Sequence, residues 1–416
     1  MEKVYDIRDF GAVGDGVFNC TEAIQKAIDT CSADGGGTVL VASGKYLFYP
    51  LRLKNDVRLE IAWDAILLAG TDPELYPEVQ PNPYWRVEYA LRNNKRYVMY
   101  GEGISHVCIC GQGKIDFQGL NFVHVDENLK PFEGHWKRKH DQLIPGRSLF
   151  FVGCKDVRLE DLTLVDTAGW FTWFLDCEDV RVRGVTMKAD LRMPNSDGIH
   201  LGSCRNVIVS DCNLTNGDDC IIVRSMQEQF DEPKACENIT VTNCVLQSSC
   251  DCIRIGWTHD YLMRNCTFSN LVIRDSRIGI DVTSPRIKPV GEDQRDPPRY
   301  PDTPTPYPEV KPFAVENMVF SNIEAQTRLY VFGVNLTDNE AVDYVRDISL
   351  RSVHAICGRY PIIKALPEHH VSDIEFTDFV LEMRPVNGHP EYEKDTLNFK
   401  HAENVIFNNF RIKKTY

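Results

Sequence analysis

One unit recurs along this chain: a polar pair, apolar residues in alternation, then Asp, Asn, Ser or a similar break and a second apolar alternation. It reads Lys155-Asp-Val-Arg-Leu-Glu-Asp-Leu-Thr-Leu164, Glu178-Asp-Val-Arg-Val-Arg-Gly-Val-Thr-Met187, Arg205-Asn-Val-Ile-Val-Ser-Asp-Cys-Asn-Leu214 and Glu237-Asn-Ile-Thr-Val-Thr-Asn-Cys-Val-Leu246. Later copies begin at Glu316-Asn-Met, Arg346-Asp-Ile, Ser372-Asp-Ile and Glu403-Asn-Val. The first apolar position falls at 157, 180, 207 and 239, steps of 23, 27 and 32, and returns at 318, 348, 374 and 405, steps of 30, 26 and 31. Alternation of period two marks strands, and a unit repeating every ~20–50 residues marks a solenoid. No helical period separates the strands, and parallel crossovers are right-handed in nearly all cases. The predicted fold is therefore all-β: a single-stranded, right-handed parallel β-helix. A chain of 416 residues would ordinarily divide into two or three domains. Coils that pack only on their neighbours let one domain grow along an axis, so residues 1–416 are read as a single domain.

Two segments depart from the pattern. Cys20-Thr-Glu-Ala-Ile-Gln-Lys-Ala-Ile-Asp-Thr-Cys31 has apolar residues at 23, 24, 27, 28 and 31, which is helical spacing. Asp34-Gly-Gly-Gly37 ends it and Thr38-Val-Leu-Val41 starts a strand. A solenoid has to cover its open end, so residues 1–50 are expected to form an N-terminal cap built on an amphipathic helix. Ser284 to Pro312 holds nine prolines. No strand ladder survives that density, and residues 284–312 are read as a long loop, either a wall over a groove or a plain surface insertion.

The net charge of −14 and pI near 5.3 disfavour nucleic acid, whose phosphates call for clustered Lys and Arg. An anionic substrate would need a local basic pocket. No run of 18 apolar residues is present, so no membrane helix is expected. The opening Met-Glu-Lys-Val-Tyr-Asp-Ile-Arg-Asp-Phe shows no apolar h-region. Fifteen cysteines without a leader suit a reduced, cytoplasmic compartment; a secreted chain whose leader has been removed is the alternative. Cys108/Cys110 and Cys250/Cys252 are one residue apart, which suits neither a zinc knuckle nor a redox Cys-x-x-Cys. Cys177, Cys204 and Cys236 precede their repeats at one equivalent place, and Cys212 and Cys244 share another. They read as small buried hydrophobes in stacks. No cofactor or metal is expected, and nothing in the sequence fixes an oligomeric state.

Asn195-Ser-Asp-Gly198 and Gly217-Asp-Asp-Cys220 stand apart from the repeats. Asp197 and Asp218 are 21 residues apart, close to one coil. Neighbouring strands lie roughly 4.8 Å apart, so these carboxylates can meet across a substrate from adjacent coils. Like charges that close raise at least one pKa, as a general acid near neutral pH requires. Acid and base separated by roughly 6.5–9.5 Å leave room for the water of an inverting glycosidase. The plainer reading is that Asn, Asp and Gly are turn residues. That suffices for a lone Asn-x-Asp-Gly, but less readily for two acids set directly before Cys-Ile-Ile-Val, one coil from a third.

At these residues the chain resembles glycoside hydrolase family 28, the polygalacturonases and rhamnogalacturonases. The resemblance rests on Asp9-Phe-Gly-Ala-Val-Gly-Asp-Gly16 with the helix after it, on Asn195-Ser-Asp-Gly198 and on Gly217-Asp-Asp219. It runs through the repeats between Arg147 and Gly256, to about residue 284. The opening motif is specific only to the fold, whereas the two aspartate motifs at this spacing are specific to the family. The resemblance implies hydrolysis of a pectic, galacturonate- or rhamnogalacturonan-type saccharide with inversion, Asp218 being the general acid and Asp197 and Asp219 activating the water. Two family features are missing. Gly-His-Gly, expected about thirty residues after the acid pair, is replaced by Ser249-Cys-Asp-Cys-Ile-Arg-Ile-Gly256. Arg-Ile-Lys on the next coil is replaced by Gly279-Ile-Asp-Val-Thr283, with an Arg286-Ile-Lys288 seven residues later. Rhamnogalacturonases also lack the histidine motif.

Candidate substrate contacts follow. Asn195 belongs to the first motif. Trp170, on the coil before Asp197, offers an aromatic face for a sugar ring, though aromatics in a β-helix more often serve the core. His200 follows Asp197 by three residues and is more often structural at such a place. Arg224 and Arg254 lie on successive coils just beyond the acids, where arginine either faces solvent or partners a carboxylate. Asp251 takes the place of the missing histidine. Three other functions compete with hydrolysis: a polysaccharide lyase using an Arg or Lys base and Ca²⁺, a non-catalytic binding solenoid, and a β-helix that has lost its activity.

Overall fold

The computed structural model describes residues 3–78, 96–139, 143–230, 232–285, 311–336, 341–386 and 397–414. Among these, eleven strands from Leu51–Arg52 to Asn398–Lys400 pair side by side in parallel to make one long face of a right-handed β-helix. The rest of each coil supplies two further strands, as in Lys155–Glu160 and Thr163–Val165. In later coils they fuse into one bent strand, as in Cys236–Ser248. The alternating apolar positions point inward: a continuous buried core runs from Ile7 to Met383.

The repeat read from the sequence is the register of the structure. Val157 pairs in turn with Val180, Val207, Ile239, Cys266, Met318, Ile348, Ile374 and Val405 on successive coils. Cys266 belongs to a copy, Arg264-Asn-Cys, that the sequence reading passed over, because sulfur stands where the other copies carry a recognisable aliphatic. The recurring polar residues have a backbone cause. The second residue of each polar pair is left-handed, with φ between 50° and 59° at Asp156, Asp179, Asn206, Asn238, Asn265, Asn317, Asp347, Asp373 and Asn404. The mid-unit break is left-handed as well at Asp161, Asp211, Asn243, Asn270 and Asn322. Asn and Asp tolerate this conformation better than other L-residues, and here they stack: Asn238 Nδ2 donates to Asn206 Oδ1 at 3.2 Å and Asn265 Nδ2 to Asn238 Oδ1 at 3.3 Å.

The cap helix spans Thr21–Ala33 and buries Ile24, Ala27, Ile28 and Cys31 against the first coils. Cys154, Cys177, Cys204 and Cys236 share one register, the first three just before their strands and Cys236 at the start of its own, and all are buried, as are Cys212 and Cys244, in keeping with their reading as stacked hydrophobes. Of the proline-rich loop, residues 286–310 lie outside the described residues, and so do Arg286 and Lys288. Its far end is anchored where Lys311 N–H donates to Gln227 Oε1 at 2.9 Å and Gln227 Nε2 donates to the Lys311 carbonyl at 2.8 Å.

One excursion carries no periodic signal. After Lys114–Asp116 the chain leaves its coil and forms a small antiparallel ribbon, Val123–His124 with Lys137–Arg138. Between the two ribbon strands it runs along the later coils: Trp136 N–H donates to the Arg192 carbonyl at 2.8 Å, and the Phe132 ring lies 3.6 Å from the Arg328 guanidinium.

The left-handed ladder gives a test. Asn238→Ala is expected to lower stability by about 1–2 kcal/mol, since an alanine must take the same backbone conformation. Asn238→Gly should cost less, glycine having no Cβ to strain. Denaturation midpoints of both variants check this, and an alanine variant as stable as the glycine one would show that the backbone requirement was misjudged.

Candidate active site

Asp197, Asp219 and Asp251 occupy one register on three consecutive coils. Gly198 N–H donates to the Asp219 carbonyl at 2.8 Å and Cys220 N–H to the Asp251 carbonyl at 3.0 Å. Parallel neighbours lie roughly 4.8 Å apart, so three carboxylate stems are stacked at the entry to the long sheet, with Asp218 one residue upstream on the middle coil. The turns that hold them are made by the motif residues. A Cβ on Gly217 would run into the Met193 carbonyl, and one on Gly198 into the Cys220 carbonyl. The Ser196 hydroxyl donates to the Met193 carbonyl at 3.0 Å and accepts the Gly217 N–H at 2.8 Å. Ser248 Oγ donates to the Asp218 carbonyl at 2.7 Å, and Ser249 Oγ to the Gly217 carbonyl. Asn-x-Asp-Gly and Gly-Asp-Asp are thus turns, as the plainer reading had it, and also the means by which the acids converge.

The carboxylates differ in their partners. Asp219 is 1% exposed; its Oδ2 meets Arg254 Nη1 at 2.8 Å and its Oδ1 accepts the Asp251 N–H at 3.0 Å. Arg254 also gives Nε and Nη2 to Asp251 Oδ2, at 2.9 and 2.8 Å, and its guanidinium lies 4.5 Å from the Trp257 ring centre. Asp197 is 6% exposed, and its Oδ1 is buried with no hydrogen-bond partner among the described residues. Asp218 is the half-exposed member. Asn195, left-handed at φ 50°, donates Nδ2 to Asp218 Oδ2 at 3.4 Å and accepts Arg138 Nη2 on its Oδ1 at 3.0 Å.

Burial pushes the Asp197 carboxyl well above the usual carboxylate range, and the charge of Asp218 adds to it. Burial also pushes Asp219 up; Arg254 opposes this, while Asp218, Asp251 and Asp197 reinforce it. One coil further on, burial and then Asp251 push Asp281 up to about 8, against the pull of Arg254 and of the Tyr330 hydroxyl, which donates to Asp281 Oδ1 at 3.1 Å. Asp218, Asp219 and Cys250 place ligand-type atoms within 4.8 Å of one another. The set does not fit a cation: both Asp219 oxygens are engaged, one by a guanidinium, and burial and the neighbouring acids keep the Cys250 thiol protonated.

The structure brings Asn195, Asp197, Asp218, Asp219, Asp251 and Arg254 together and corrects three other substrate contacts. Trp170 cannot offer a face to a sugar. The Arg147 guanidinium lies 3.7 Å from its ring centre, and the His200 ring stacks on it at 3.9 Å and 11°. Two groups that close to one ring must lie on opposite sides of it. Trp170 and Trp173 belong to one outer cluster while Phe171 and Phe174 face the core, because strict alternation fails at the start of this strand. His200 is buried behind Trp170 and held neutral, first by burial and then by Arg224, Arg147 and Arg254. Arg224 is taken up by a loop, with Nε and Nη2 each 2.8 Å from Asp260 carboxylate oxygens. Sequence reasoning missed Arg147, whose buried guanidinium faces Asp197, and the excursion that brings Arg138 and His135 to the site. His135 Nε2 lies 2.6 Å from the Gly217 carbonyl and 3.3 Å from Ser249 Oγ. For Arg147 the signal was its place one coil before Trp170; for the excursion there was none.

Fold and site together define a parallel β-helix with a crowded carboxylate cluster on one face. The family model of glycosyl hydrolases family 28 matches residues 78–289, just over half of the chain, and a second model, rhamnogalacturonase A/epimerase, pectate lyase-like, matches residues 4–59. The chain belongs to glycosyl hydrolases family 28. It is 30% identical to a probable polygalacturonase of Vitis vinifera, over 53% of this chain and 44% of that one; it spans under half the length of the curated relatives it matches first. The exopolygalacturonase of Thermotoga maritima shares the fold with a TM-score of 0.74 at 20% identity, covering 98% of this chain and 92% of that one. The endo-xylogalacturonan hydrolase of Aspergillus tubingensis does so at 0.61 and 13%, covering 99% of each.

Asp281 carries a stability prediction. Its folded pKa lies near 8, above its unfolded value, so the folded state retains a proton that the unfolded chain releases. Wild-type stability is therefore lost as pH rises from about 4 toward about 8. Asp281→Asn is expected to match wild type near pH 4 and to exceed it by on the order of 5 kcal/mol at pH 8. Melting curves across that range decide it, and a difference independent of pH would count against the assignment.

Proposed function

We propose that this protein hydrolyses a glycosidic bond in a pectic oligosaccharide with inversion, Asp218 protonating the leaving oxygen and Asp197 and Asp219 activating the water. The observation that carries this reading is the stack of carboxylates on three consecutive coils in a chain of this family. A proton donor has to reach the glycosidic oxygen, and Asp218 is the least buried of the three, steadied by Asn195. The base is assigned to Asp197, whose carboxylate stem stacks on that of Asp219 and whose Oδ1 has no hydrogen-bond partner among the described residues. Carboxylates this close cannot all ionise near neutral pH. A protonated and an ionised carboxyl therefore coexist in the cluster, as general acid–base hydrolysis requires. Relatives called polygalacturonases support the pectic class of substrate.

Within that class we place the preferred substrate away from plain polygalacturonan. Next to the acids stands Asp251, itself bound to Arg254, and the guanidinium groups of Arg254 and Arg224 are held by Asp219, Asp251 and Asp260 rather than turned toward a uronate. A bidentate arginine–carboxylate contact is hard to replace with neutral groups.

Two outcomes test these readings. Wild type is expected to release a product of inverted anomeric configuration, followed by NMR from the first turnover. Asp218→Asn should lose about 10²–10⁴-fold in kcat with its fold intact, the amide having no proton to deliver. A retained configuration, an unsaturated product absorbing in the ultraviolet, or a variant within a few-fold of wild type would each overturn the mechanism. For the substrate, kcat/KM on rhamnose-containing pectic oligomers should exceed that on homogalacturonan oligomers. Turnover of homogalacturonan at roughly 10⁴ M⁻¹s⁻¹ or better would reverse that preference.

A further inference from the structure

We propose that Arg254, bridging Asp219 and Asp251, is a positioning residue that fixes the Asp219 carboxylate toward the water rather than a contact to substrate; this rests on the hydrolytic reading above. Three of the five guanidinium N–H groups of Arg254 serve neighbouring carboxylates. Nη1 meets Asp219 at 2.8 Å, Nε and Nη2 meet Asp251 at 2.9 and 2.8 Å, and one face of the guanidinium lies over Trp257. The fork is planar and rigid, so with two of its nitrogens on Asp251 the third has one direction left, and Asp219 lies along it. Asp251 holds the other Asp219 oxygen through its backbone N–H at 3.0 Å. One residue pair on the neighbouring coil therefore fixes both oxygens of the carboxylate.

The groups facing Asp219 are Asp218 on its own turn, Asp197 on the coil before, and Asp251, Arg254 and Cys250 on the coil after. Arg254 is the cation among them. Buried charge of one sign needs such a partner, and burial, which works against the guanidinium's own charge, is outweighed by Asp219, Asp251 and Asp218. Removing the cation raises the pKa of Asp219, so a base that must be ionised is lost at a higher pH as acid is added. Removing the Asp251 charge acts in the opposite direction.

The test is the pH profile of kcat/KM from about pH 4 to 9 for Arg254→Gln, Arg254→Lys and Asp251→Asn, on rhamnose-containing and homogalacturonan oligomers. In Arg254→Gln the acid limb is expected to move to higher pH, kcat to fall on the order of 10²-fold, and KM to stay within about threefold. Arg254→Lys, which keeps the charge but not the fork, should move the limb less while still losing kcat. Asp251→Asn should move the limb to lower pH. An unmoved limb in Arg254→Gln, or a loss confined to KM and to the uronate-rich oligomer, would overturn the proposal, the latter by making Arg254 a substrate clamp. Asp218→Asn assayed alongside separates the two levels. If it retains full activity, the hydrolytic reading falls and takes the proposal with it. If it is inactive while the Arg254 limb stays put, the proposal alone falls.

Discussion

Parallel hydrogen bonding of coil on coil is the interaction from which the rest of this molecule follows. Each strand repeats the register of the one before it, from Val157 through Val405, so a residue type that suits one coil suits its neighbours. The left-handed Asn and Asp residues at the bends keep that register: they let the chain turn at a fixed place, and their amides bond to their counterparts one coil away. Aliphatic, aromatic and thiol side chains then stack on like side chains inside. An insertion between strands leaves the ladder intact, which is how the coil at Cys266 and the next at Met318 remain paired across 52 residues of sequence.

The same register builds the acidic site, and there it works against stability. Stacking like on like is favourable for valines; for Asp197, Asp219 and Asp251 it places buried carboxylates one above another. Such a cluster persists only where the surroundings compensate it. The turn backbone does so through Ser196, Ser248 and Ser249, and Arg254 does so with charge. Arg224 is a useful contrast. It also sits on the long sheet, but its bidentate bond to Asp260 fastens a loop and leaves the acids to others.

The site is not made by the coils alone. The excursion between Lys114–Asp116 and Lys137–Arg138 crosses several coils lengthwise and brings Arg138 to Asn195 and His135 to Gly217. Beside Asp197, Arg147, Trp170 and His200 on three successive coils form a closed stack. An aromatic that looked like a sugar platform is thereby a buttress, with both faces covered.

What the sequence determined by itself was whatever depends on local periodicity. The solenoid, its register, the cap helix and the convergence of Asp197 with Asp218 and Asp219 are all legible, because the polar pair and the alternation after it recur at one place in every coil and so turn sequence into position. What only the tertiary structure decided depends on the third direction, across coils and between faces. Asp251 was legible as a neighbour, but not that Arg254 ties it to Asp219; Trp170 was legible as aromatic, but not that Arg147 and His200 enclose it. The long-range excursion carrying His135 and Arg138 left no trace in the repeat. The physical reason is that spacing encodes which residues share a ladder, whereas contacts made by long side chains and by irregular segments depend on rotamers and packing that no period records.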